Sequence, residues 1–172
     1  AEVLTLNFDV RNDAETQKNI LGMPAKWQNI DVLVNNAGLA SGFNPIQNGD
    51  TEDWDKMIDT NIKGLLYVSR AVIPMMIKNK KGHIINLSST AAKDAYLNGN
   101  VYCATKFAVD ALTKSMRIDL LPYGIRVSSV SPGMAETEFS IVRFHGDKEK
   151  AKNAYRGIEP LTAIDIAEVI YF

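Results

Sequence analysis

An α/β fold, a Rossmann-like doubly wound parallel sheet in three layers (α/β/α), is what the hydrophobic pattern of this chain predicts. Three observations carry the prediction. Short, nearly continuous apolar runs, "DVLVNNAG" (31–38), "GHIINLSS" (82–89) and "GIRVSSVSPG" (124–133), read as strands buried on both faces, and "EVLTLNFDV" (2–10) reads as a fourth. Helical patterns separate them, which is the order of a parallel sheet joined by right-handed crossovers. The strand ends at Asp9, Asn35–Gly38, Ser88–Ser89 and Ser131–Gly133 are rich in small polar residues and glycine, and ligands bind at those ends in such sheets.

Each connecting element has its own signal. Residues 11–30 have helical spacing, with Asn12 or Asp13 as cap. Residues 51–79 form a long helical pattern, capped by Asp50 or Thr51 and acidic in its early turns. Gly64 and Pro74 predict bends inside it. Its end carries "KNKKG" (78–82), where cations complement the helix dipole. A further helix runs from about 99 to 121. The segment after Gly133 is a mostly polar excursion with a short helix around "KEKAKNAY", and "AIDIAEVIYF" begins another helix. With no repeats, low-complexity stretches or linkers, residues 1–172 read as a single domain.

Composition excludes several classes of function. A formal net charge of −1 gives no field to gather nucleic acid or an anionic membrane. No apolar stretch approaches the length of a membrane span, and no basic-then-apolar leader opens the sequence. One cysteine, Cys103, permits no disulfide within the chain and fits a reducing, cytoplasmic setting as a small buried thiol. His83 and His145 have no metal-ligand spacing, so no metal is expected.

Five stretches, "NNAG" (35–38), "TNIKG" (60–64), "INLSS" (85–89), "YCATK" (102–106) and "SPG" (131–133), occur in an order and spacing that resembles the short-chain dehydrogenases/reductases. The resemblance covers essentially the whole chain. It implies an oxidoreductase that passes a hydride between a carbinol carbon and a nicotinamide ring. In that family a strand, a Gly-rich turn and a helix come first and cradle the cofactor pyrophosphate. Here the sequence starts at what resembles the third strand and stops in the helix before the last. The expectation is an internal piece of a longer protein, truncated at both ends, which alone binds NADPH poorly and turns nothing over.

The reaction needs an acid/base near the working pH, and a free tyrosine, with a pKa of about 10, is too weak a base at neutrality. A neighbouring ammonium and the oxidised nicotinamide both favour the phenolate. Tyr102 and Lys106, four residues apart, share one face of a helix. The resemblance makes Tyr102 the acid/base and gives Lys106 a second task on the nicotinamide ribose. Ser89, thirteen positions before Tyr102, resembles the serine that polarises the substrate carbonyl, whereas Ser88 points to the other side of its strand. Asn61 resembles the residue holding a water that links the lysine to bulk solvent. For the cofactor, Asp9 resembles the adenine-binding aspartate, and Asn35, Ala37 and Gly38 the turn lining the adenosine ribose. The Ala135 backbone and Thr137 hydroxyl resemble the group that meets the carboxamide.

The stretch "ETEFSIVRFHGDKEKA" resembles a subgroup of NADP-dependent 3-hydroxy acid dehydrogenases acting on serine, allo-threonine and related small acids. Arg143 is the candidate cation for the substrate carboxylate. NADP is implied by that subgroup alone, since the residues present do not separate it from NAD. The long helices at 51–79 and 99–121 pack against their copies in relatives, so a dimer or tetramer is expected. The contrasting reading is a non-catalytic, cofactor-binding regulatory protein. Such proteins lose the tyrosine or the lysine, and this sequence has both.

Overall fold

A computed structural model describes residues 1–172. Its sheet has strands β1 (Val32–Asn35), β2 (Gly82–Leu87) and β3 (Ile125–Val130), all parallel and in that spatial order. The register sets Leu33 beside Ile84 and Ile84 beside Val127, then Asn35 beside Asn86 and Asn86 beside Ser129. Side chains alternate along a strand, so Leu33, Ile84, Val127, Asn35 and Asn86 all project from one face.

Three helices cover that face: α1 (Asp13–Leu21), α3 (Leu65–Asn79) and α4 (Asn100–Leu120). Their apolar residues, among them Ile20, Val72, Met76 and Val109, form one buried cluster with Ile84 and Val127. On the other face Ile85 of the central strand is buried, but Val32 and Val34 are 52% and 38% exposed. Burial on both faces, expected of the 31–38 run, therefore fails at β1. This strand pairs on one side only, with β2, and is an edge of the sheet.

The strand expected at 2–10 is absent. Residues 2–9 pair with no strand, and Val10–Arg11 form a turn. A strand needs a neighbour for its backbone N–H and C=O groups, and this segment pairs with none of the three strands. Its alternating pattern still acts through packing: Leu4, Leu6, Phe8 and Val10 are partly buried, and Phe8 packs on the main core.

The helices follow their caps. Asn12 starts α1 by accepting from the Glu15 N–H at 3.1 Å, and Asp50 starts α2 (Thr51–Ile58) by accepting from the Glu52 N–H at 2.9 Å. The bend predicted at Gly64 is a π-helical turn, Asp59–Gly64, between α2 and α3, and Pro74 lies within α3. In the polar excursion the expected short helix is α6 (Lys148–Asn153), and a further one, α5 (Phe139–Arg143), precedes it. Thr162 and Asp165 form a reciprocal capping box at the start of α7 (Ala163–Tyr171). No helix is long and apolar enough to cross a membrane.

Candidate active site

The site lies beyond the carboxyl ends of the three strands, and strand alternation sorts its two serines. Ser88, 5% exposed, has a hydroxyl with no hydrogen-bond partner, and its N–H donates to the Val130 carbonyl at 2.8 Å. The backbone of Ser89 remains extended, and its hydroxyl caps a 3-10 turn at Thr90–Ala92 by accepting from the Ala91 N–H at 3.2 Å. The Ser89 hydroxyl also acts on the Tyr102 phenol, which Ser88 does not.

Helix α4 delivers Tyr102 and Lys106, 8% and 7% exposed. Lys106 Nζ donates to the Leu87 carbonyl at the end of β2 (2.8 Å) and lies 5.9 Å from the centre of the Tyr102 ring. Gly38 passes close beside it. A Cβ at Gly38 would lie 3.6 Å from Lys106 Nζ and 3.4 Å from Asn61 Oδ1, in ordinary van der Waals contact, so the backbone here runs directly beside both polar groups.

Burial controls both ionisations. It lowers the Lys106 ammonium from its ordinary 10.5 to about 8. It raises the Tyr102 phenol to about 12, against the opposing pull of the Ser89 hydroxyl and the Arg143 guanidinium. The expected lowering of the phenol by Lys106 is therefore not what this arrangement gives. Desolvation prevails, the Lys106 ammonium is bound to a carbonyl, and the cation that acts on the phenol is Arg143.

Asn61, 1% exposed, sits in the π-helical turn, a feature often found at functional sites. Its Oδ1 accepts from the Leu39 N–H (2.8 Å), while Nδ2 donates to the Leu39 carbonyl (2.8 Å) and to Thr105 Oγ1 (3.0 Å). Both amide hydrogens are thus committed to protein. For the expected water, the side chain offers only the second lone pair of Oδ1. Thr105 was not singled out from the sequence. Its hydroxyl donates to the Tyr102 carbonyl at 2.8 Å, a back-bond common to threonines in helices that marks nothing in the sequence.

The expected cofactor residues divide into engaged and open. The Asn35 side chain turns inward, donating to Ser69 Oγ (2.9 Å) and Asn86 Oδ1 (2.8 Å), while Asn86 donates to Thr113 Oγ1 (2.9 Å). Past β1, Ala37 and Gly38 are exposed and present their backbone. Asp9 accepts from the Arg11 N–H at 2.9 Å and from its guanidinium, and these bonds lower its pKa while leaving it largely exposed. The Ala135 carbonyl accepts from the Tyr155 hydroxyl (3.0 Å), and Thr137 Oγ1 accepts from the Phe139 N–H (3.1 Å), which starts α5.

Arg143, the last residue of α5, stands next to this centre. Its guanidinium lies 5.0 to 5.9 Å from the ring centres of Phe43, Tyr96, Tyr102 and Phe139, and it donates to the Tyr96 hydroxyl. The segment is anchored at Arg143 and two residues beyond it. The Gly42 N–H donates to the Arg143 carbonyl (2.9 Å), and the His145 Nε2–H donates to Asp53 Oδ2 (3.1 Å). The second oxygen of Asp53 accepts from the Ser41 hydroxyl at 2.5 Å. His145 was set aside in the sequence for want of a metal spacing; its tie to a residue far along the chain has no local signal.

Residues 1–148 match the short chain dehydrogenase family profile, a span that contains all five of the recognised stretches. The chain belongs to the short-chain dehydrogenase family. Among its relatives, the NADP-dependent 3-hydroxy acid dehydrogenase YdfG of Salmonella typhi is 48% identical over 99% of this chain and 69% of its own length. Serine 3-dehydrogenase of Rhizobium radiobacter is 46% identical over 96% of this chain and 66% of its own. A solved serine dehydrogenase, in its closed form complexed with NADP+, aligns with a TM-score of 0.92 and 48% identity over 95% of this chain and 66% of that one. The chain thus spans about two thirds of the length of these relatives, and its parallel sheet and helices are those of the family's Rossmann-like fold.

Proposed function

We propose that the full-length protein is an NADP-dependent dehydrogenase that oxidises the hydroxyl-bearing carbon of a small 3-hydroxy acid such as serine or allo-threonine. The observation that carries this reading is the buried Tyr102 phenol with the Ser89 hydroxyl beside it and Lys106 one helical turn along. The relatives' names supply the coenzyme and the substrate class.

The residues present fit a dinucleotide. Lys106 is a buried ammonium with a carbonyl but no carboxylate as partner, and the exposed Ala37–Gly38 backbone runs beside it. Ala37, Gly38 and Lys106 would hold the sugars, Asp9 the adenine, and Ala135 and Thr137 the carboxamide; the Asn35 side chain supports the turn from within. Bound NADP would supply the hydride acceptor and, when oxidised, a positive charge.

The chain's own residues manage the proton. Ser89 hydrogen-bonds the substrate oxygen, and Tyr102 takes its proton. Alone, the phenol is kept protonated by burial, so it becomes a base only where added positive charge offsets that burial. Asn61 holds the Leu39 backbone and Thr105 in place behind Lys106.

Exposed apolar residues on and just after α4, Phe107, Ile118 and Leu121, support a homo-oligomer, dimer or tetramer, which sedimentation of the full-length protein tests. The buried free Cys103 supports a reducing, cytoplasmic setting. For the chemistry the decisive variant is Tyr102→Phe in the full-length protein. Loss of the acid/base lowers kcat by about 1000-fold with NADPH affinity unchanged; a variant that kept most of its turnover on 3-hydroxybutyrate would refute the reading.

A further inference from the structure

Residues 134–161 leave the body of the domain and return to it. Their base is closed by a parallel bridge between Ala135 and Leu161. There the Leu161 N–H donates to the Met134 carbonyl (2.9 Å) and the Glu136 N–H to the Leu161 carbonyl (2.8 Å). The helices in between are short, five residues in α5 and six in α6. Helices of that length are not stable by themselves, so the segment takes its place from the ties it makes. Internally, Ser140 Oγ–H donates to the Tyr155 hydroxyl (2.6 Å), which donates to the Ala135 carbonyl (3.0 Å). Helix α5 then lays Phe139 edge-on to the Tyr102 ring, 5.5 Å between centres.

The far end of the segment is held by Asp53 on α2, and the two sides of that tie differ. Asp53 is 8% exposed, and its Oδ1 accepts from the Ser41 hydroxyl at 2.5 Å, which fixes the carboxylate from the protein side. Gly42 passes directly over it. A Cβ there would lie 2.6 Å from Asp53 Oδ2, and its φ of +75° is one that glycine adopts freely. The His145 side chain, by contrast, is 61% exposed, and it holds on through the Nε2–H bond to Oδ2. His145 has a φ of 53°, a left-handed conformation uncommon outside glycine, and this turns the chain at the end of α5. A buried, fixed acceptor thus faces a donor that water can reach.

We propose that Asp53 is a positioning residue for the reaction, and that its bond to His145 is a releasable clasp on the 134–161 segment. Made, the bond holds α5 down over the cleft that Phe43, Trp54 and Tyr102 line, with Phe139 against the Tyr102 ring. Broken, it lets α5 lift about the Ala135–Leu161 bridge, which stays paired. Substrate and product pass while the clasp is open, and the proton moves while it is closed. The kinetic part of the inference rests on the function proposed above; the clasp itself does not.

The experiment compares His145→Ala and His145→Gln in the full-length protein, by amide hydrogen exchange and by kinetics on 3-hydroxybutyrate. The reporting amides are those of Phe144, His145 and Gly146, bonded to the Ser140, Val142 and Ile141 carbonyls, and strand β2 is the internal reference. His145→Ala speeds exchange at the reporting amides about 10-fold, the loss of one hydrogen bond to a charged group, and leaves β2 unchanged. It also raises KM about 3-fold with kcat within about 2-fold of the wild type, because a segment open part of the time lowers apparent affinity and not the chemistry. His145→Gln, whose amide nitrogen can take the place of Nε2, restores both. Adding His145→Ala to Asp53→Ala changes the reporting amides no further, since the two share one bond. Should Asp53→Ala fail to fold, the two His145 variants decide. Exchange unmoved in His145→Ala, an equal rise in β2, no rescue by His145→Gln, or an unchanged KM each overturns the inference. A wild type inactive on 3-hydroxy acids overturns the proposed function instead, and the exchange comparison then decides the clasp without it.

Discussion

Thr105 separates Tyr102 from Lys106 along α4, and its one hydroxyl makes two bonds: it accepts from Asn61 and donates to the Tyr102 carbonyl. Replacing it by valine preserves the shape and leaves one Asn61 N–H buried without an acceptor, a penalty of about 1–3 kcal/mol. The Asn61 amide is then held by its two bonds to the Leu39 backbone alone. We expect Thr105→Val to lower kcat on 3-hydroxybutyrate about 10-fold, and Thr105→Ser to restore it by returning the hydroxyl. Steady-state kinetics on the two variants check this; equal loss in both would mean the methyl group matters and the hydroxyl does not. Tyr102, Lys106 and Ser89 were singled out by the family resemblance, and helix and strand periodicity added only which faces they share. Thr105 and the inward turn of Asn35 were not, because their partners stand 44 and 51 residues away. Only folding reveals which of several polar side chains will be used up in the interior.

The elements are tied together by that same interior polarity. Asn35 on β1, Asn86 on β2, Ser69 on α3 and Thr113 on α4 form a continuous chain of hydrogen bonds with every member below 9% exposed. Because Asn35 and Asn86 are register partners, the bond between them favours this strand alignment over a slip by one residue. Asn86→Ala would leave an Asn35 N–H and the Thr113 hydroxyl short of a partner and open a small cavity. We expect a destabilisation of about 2–4 kcal/mol in urea unfolding. Asn35→Ala combined with Asn86→Ala should lose less than the sum, since the two share one bond; strictly additive losses would show that they act separately. At this scale the sequence was read well where apolar periodicity was long, as in α3 and α4, and caps were read to within a residue. It was misread at residues 2–10, where composition favours a strand but pairing, a long-range property, decides. The break at Gly64 was visible, but its π-helical form was not, because that depends on how α2 and α3 meet.

For the molecule as a whole, burying Lys106 costs stability, and the pH dependence of that cost is measurable. The unfolded chain keeps the Lys106 proton up to its ordinary 10.5, whereas the folded protein releases it near 8. Below pH 8 both states are protonated and the full burden of a buried ammonium is present, about 3 kcal/mol. Between 8 and 10.5 the unfolded state binds more protons than the folded one, so stability rises with pH. Tyr102 acts in the opposite sense at higher pH: unfolded, it ionises near 10, while folded it holds its proton to about 12, so its contribution falls as pH climbs through that window. Urea unfolding of the full-length protein at pH 7 and pH 9 should therefore show a gain of about 1 kcal/mol from Lys106. Other groups titrate over the same range, so the gain is isolated by comparison with Lys106→Met, which removes the ammonium and keeps most of its apolar stem. That variant should be the more stable at pH 7, with the difference shrinking toward pH 9. If the two proteins instead run parallel, the ammonium is not desolvated in the folded state, and the carbonyl of Leu87 together with solvent already compensates it. Such a result would also remove the reason for Lys106 to wait for a ligand's hydroxyl groups, since a satisfied ammonium gains little from new partners.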